Sequence, residues 1–61
     1  MANLTSKELT FIEDHLSMEQ LLIIKYKSAA ETTSDPVLKA KCEQVASKHQ
    51  GHYNRLLSHL S

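Results

Sequence analysis

Between Thr5 and Leu60 the chain has one place where a helix must stop, the stretch Thr32-Thr33-Ser34-Asp35-Pro36, and on either side of it apolar residues recur in steps of three and four. Such steps place side chains on one face of an α-helix. Before the break the seam reads Leu9, Ile12, Leu16, Glu19, Ile23, Tyr26 and Ala30, with Glu19 its only charged member. After it come Leu38, Cys42, Val45, His49, His52 or Tyr53, Leu56 and Leu60. The single glycine, Gly51, falls inside the second segment. It costs about 1 kcal/mol against alanine there and suggests the close approach of a neighbouring backbone, without ending the helix.

Both segments carry start signals. Thr5 and Glu8 have the spacing of a capping box, in which the threonine hydroxyl and the N3 carboxylate satisfy each other's backbone amides. Asp35 before Pro36 pairs a side chain able to cap free amides with a residue whose fixed φ suits the first helical position. The spacing predicts helices over about 6–31 and 36–60 with a turn at 32–35. The expected fold class is therefore all-α, a single domain over 1–61 built as an antiparallel helical hairpin.

A hairpin of 61 residues and 6.9 kDa is short of core. Ordering a chain costs about 1.5 kcal/mol per residue, and at this length burial in a lone chain comes close to break-even. Cys42 is the only cysteine, so no disulfide within the chain can make up the difference. Leu22 and Ile24 flank the seam and Leu21 lies on its far side, so apolar groups cover more than one face. Two hairpins closing into a four-helix bundle would cover that arc, and a homodimer or higher homo-oligomer is expected. Seven Lys plus Arg balance seven Asp plus Glu, which leaves no electrostatic footprint for nucleic acid. The longest apolar run, Leu21 to Ile24, is far below a membrane span, and Met1 to Thr5 lacks the charged start of a leader, so neither membrane nor processing is expected.

In a hairpin turning near residues 33 and 34, Glu19 stands level with position 48 or 49, and His15 with His52. A carboxylate and imidazoles thus gather in one layer. Two readings follow. Glu19 can accept a hydrogen bond from His49 and set pairing and register. Alternatively Glu19, His49 and His52 from both chains of a dimer can hold Fe, Mn or Zn at the dimer core, as carboxylates and imidazoles do on facing helices. The second helix offers His49-x-x-His52 rather than Glu-x-x-His, and Glu43 is nearly two turns from His49, so a bridging carboxylate is missing. Cys42, Tyr26 and Tyr53 read as core or interface residues, His15 as a boundary residue and His59 as solvent-exposed. No phosphate loop, nucleophile triad or zinc-ribbon spacing is present, and no catalytic residue is assigned.

The stretches EDHLSMEQLLIIKYKSAAE and DPVLKAKCEQVASKHQGHYNRLLSHL resemble the coat F type of small spore-coat proteins of endospore-forming bacteria, over nearly the whole chain. The resemblance implies a ferritin-like helical bundle, a sporulating cell, synthesis in the cytoplasm with deposition in the spore coat, and other coat proteins as partners. The ferritin-like group holds metal on Glu and Glu-x-x-His. Only Glu19 and His52 match, with His49 where the second Glu would stand. The function expected is a self-associating structural bundle protein resembling a coat component. The alternative is a metal-binding ferritin-like protein, and a further class is an adaptor that docks an amphipathic helix in its groove.

Overall fold

The computed structural model describes residues 4–60 and consists of two helices, α1 (Ser6–Thr32) and α2 (Pro36–Ser58), folded back on each other as a hairpin of 46 × 14 × 11 Å. The capping box is formed: the Thr5 amide donates to Glu8 Oε1 at 2.9 Å and the Glu8 amide to Thr5 Oγ1 at 3.1 Å. Glu8 is fully exposed, yet its carboxyl is held below the usual carboxylate range, first by the Thr5 amide and then by the Thr5 hydroxyl.

The turn is held by short polar contacts. Thr32 Oγ1 donates back to the Ser28 carbonyl at 3.0 Å, which carries α1 one residue past the expected end. The Thr33 amide still reaches the Ala29 carbonyl at 3.1 Å, and the Asp35 amide donates to Thr33 Oγ1 at 3.2 Å. Asp35 Oδ1 then accepts from the amides of Val37, at 2.9 Å, and Leu38, at 3.3 Å. The last turn of α1 has no basic residue of its own, and Lys39 of α2 supplies one, its Nζ donating to the Ala30 carbonyl at 3.1 Å. At the far end α2 stops at Ser58 rather than about 60. The amides of His59 and Leu60 turn to carbonyls three residues back, Leu56 and Leu57, a tightening common at helix ends.

The seam between the helices is thin. The buried apolar residues are Ile12, Ile23, Ala30, Cys42 and Ala46, and none of the described side chains is fully enclosed. The buried residues nearest the turn are small: Ala30, Cys42 and Ala46. Large apolar side chains stay exposed on both flanks, among them Leu21 at 69%, Ile24 at 64%, Phe11 at 59% and Met18 at 57%. Gly51 departs from expectation: a β-carbon built there has no heavy atom within 4 Å, so no backbone of the hairpin approaches it. It lies on the outer side of α2, away from α1. Among the described residues no helix is long and apolar enough to cross a membrane.

Candidate functional site

The antiparallel register brings Glu19 of α1 against His49 of α2 midway along the hairpin. His49 Nδ1 lies 3.0 Å from Glu19 Oε1 and 3.2 Å from Oε2, so with its proton on that nitrogen the ring donates to the carboxylate. His52, one turn on, sets its Nδ1 3.2 Å from Glu19 Oε2. The two rings meet edge to face with centroids 5.5 Å apart. One donor atom from each of Glu19, His49 and His52 lies within 4.8 Å of the others. All three residues singled out from the sequence thus come together within one chain.

Burial grades across the cluster. The Glu19 side chain is 13% exposed, His49 21% and His52 42%, so the carboxylate sits deepest and the cluster opens past His52. Tyr26 backs His49 with its ring stacked at 6.2 Å. Taking a carboxylate this far out of water is unfavourable unless hydrogen bonds or charge offset it, and the two imidazoles are the groups placed to do so. On the other flank Gln20 Nε2 donates to the Tyr53 hydroxyl at 3.4 Å, a second polar contact between the helices at nearly the same height.

The open side of the cluster is a groove lined by His15, Glu19, His52, Arg55, Leu56 and His59. His15 is fixed by donating from Nδ1 to the Phe11 carbonyl at 3.0 Å and by stacking on the Phe11 ring at 4.1 Å. Sequence reasoning placed His15 level with His52 but did not gather Arg55 and His59 into the same groove. Their spacing of three and seven from His52 puts them on its flank, and that was the available signal.

Chemically, one carboxylate and two imidazoles are a plausible three-ligand donor set for zinc, with a position left open, and match the two-histidine, one-carboxylate triad of ferrous sites. The same three groups also form a self-consistent hydrogen-bonded layer. Cys42 is buried toward the turn, away from this cluster. Comparison with family models, with curated proteins and with solved structures gave no match.

Proposed function

We propose that this chain is a self-associating structural module, a helical hairpin that closes into a four-helix bundle with a second copy. The observation that carries this is its surface. A compact folded chain of this mass exposes about 4000 Å², whereas this hairpin exposes 4757 Å². The excess of roughly 750 Å² marks a thin, elongated hairpin that leaves Phe11, Met18, Leu21 and Ile24 exposed. The resemblance to coat F type proteins extends this reading to a building block of a larger protein layer in a sporulating cell, alongside other coat proteins. Sedimentation equilibrium on the untagged protein tests the first step, with a mass near twice 6.9 kDa expected at micromolar concentration. A stably folded monomer there would end the proposal.

A second reading is supported by the three donor atoms within 4.8 Å of one another: Glu19, His49 and His52 hold one divalent ion of the Fe, Mn or Zn class. Such an ion would tie α1 to α2 and stabilise the hairpin. Elemental analysis together with melting in the presence of each metal tests it. Metal bound one per chain, with a raised melting temperature that Glu19→Gln removes, would support this reading. Sub-stoichiometric metal and no thermal shift would discard it.

A further inference from the structure

We propose that the second copy seats on the flank of the hairpin onto which the Glu19–His49–His52 cluster opens, about a two-fold axis parallel to the helices, and contributes its His15 to that cluster. This rests on the self-association reading and goes beyond it by naming the face, the register and the residue supplied.

The two flanks of the hairpin differ. On the cluster side α1 carries Phe11, Met18, Leu22 and Ala29, a stripe stepping by seven, four and seven that is separate from the seam with α2. The same side of α2 carries Leu38, Val45 and Leu56. With the two-fold axis along the helices, α1 of each copy lies antiparallel against α2 of the other at unchanged height. The register seen within the chain, Glu19 beside His49 and Ala30 beside Lys39, then recurs across the interface. To within one or two residues of that register, Phe11 comes near the level of Leu56 of the second copy, Leu22 near its Val45, Ala29 near its Leu38, and His52 near its His15. Apolar meets apolar at three levels and imidazole meets imidazole at the fourth.

On the opposite flank α1 lines an apolar groove with Leu21, Ile23 and Ile24, but α2 adds only Gln50 and Tyr53 to it. Its exposed Leu21 and Ile24 stand level with Ser47 and Glu43 of α2, so a copy seated there would cover polar and charged groups at the levels where α1 is most apolar. Charge favours setting each α1 against a foreign α2, on whichever flank the copy sits. Over their helical spans α1 has three basic and five acidic residues, and α2 has four basic and one acidic. An arrangement that sets each α1 against a foreign α2 therefore pairs opposite signs, with Asp14 near the level of Arg55 across the rim. Lys25 and Lys41 come within a helical turn of each other nearer the turn of the hairpin, on the solvated rim where like charges are screened. The His52 side chain, 42% exposed in the single hairpin, becomes enclosed by the second copy.

The test is sedimentation equilibrium on the full chain with one acidic substitution per flank, Met18→Glu and Ile24→Glu, at positions 57% and 64% exposed in the hairpin. The proposal expects Met18→Glu to weaken dimerisation at least tenfold and Ile24→Glu to change it less than twofold. Should Met18→Glu leave too little helix to weigh, Met18→Ala and Ile24→Ala replace the pair, and only the former should lower the unfolding midpoint at fixed protein concentration. A wild-type dimer lost through Ile24, or through neither position, overturns the face while self-association stands. A monomeric wild type removes self-association itself.

Discussion

At the scale of single residues, Glu19 is the one charged group in the seam, and its surroundings fix what its replacement does. If its layer serves only to set pairing, Glu19→Leu should leave the hairpin folded and its melting temperature unchanged or higher, because a leucine fills the site without the desolvation that a carboxylate incurs. A loss of several kcal/mol, together with loss of bound metal, would instead favour the ion-binding reading. Gly51 gives a second residue-scale outcome. With nothing within 4 Å of an added β-carbon, Gly51→Ala should stabilise the protein by about 1 kcal/mol in denaturant unfolding. Destabilisation would mean that something outside the hairpin packs against that position.

At the scale of the elements, the helix ends are where local chemistry is legible in the sequence. Thr5 with Glu8, and Asp35 with Pro36, act within three or four residues, and the capping bonds foreseen from those spacings are present. The far end of α2 was less legible, since the tightening at His59 and Leu60 has no residue signature and the apolar spacing runs on through Leu60. Asp35→Ala removes the side chain that holds the amides of Val37 and Leu38 and should cost about 1 kcal/mol in unfolding free energy. The Glu8 carboxyl, lowered in the folded chain by its bonds to Thr5, contributes stability that is present above its unfolded pKa and is lost as pH falls through its depressed folded value. Glu8→Ala should therefore lower the melting temperature at about pH 7 and have little effect at about pH 2, below the ordinary carboxylate range. An equal effect at both would show that the carboxylate's charge is not what matters.

At the scale of the whole molecule, the hairpin and the meeting of Glu19 with His49 were readable because an antiparallel pair has one free parameter, the position of the turn, and Asp35-Pro36 sets it. The groove of His15, His52, Arg55 and His59 was less readable, because it depends on how each helix is rotated about its own axis. Alternation of three and four steps fixes that rotation only to within a residue, as the choice between His52 and Tyr53 in the seam illustrates. Exposed apolar residues on both flanks blur it further. A body this slender needs a second copy, and the mass of the untagged wild-type chain by sedimentation equilibrium, across a dilution series through the micromolar range, tests that need. The expected result is a dimer that dissociates with loss of helix on dilution; a monomer of 6.9 kDa that keeps its full helix content throughout would show that the hairpin stands alone.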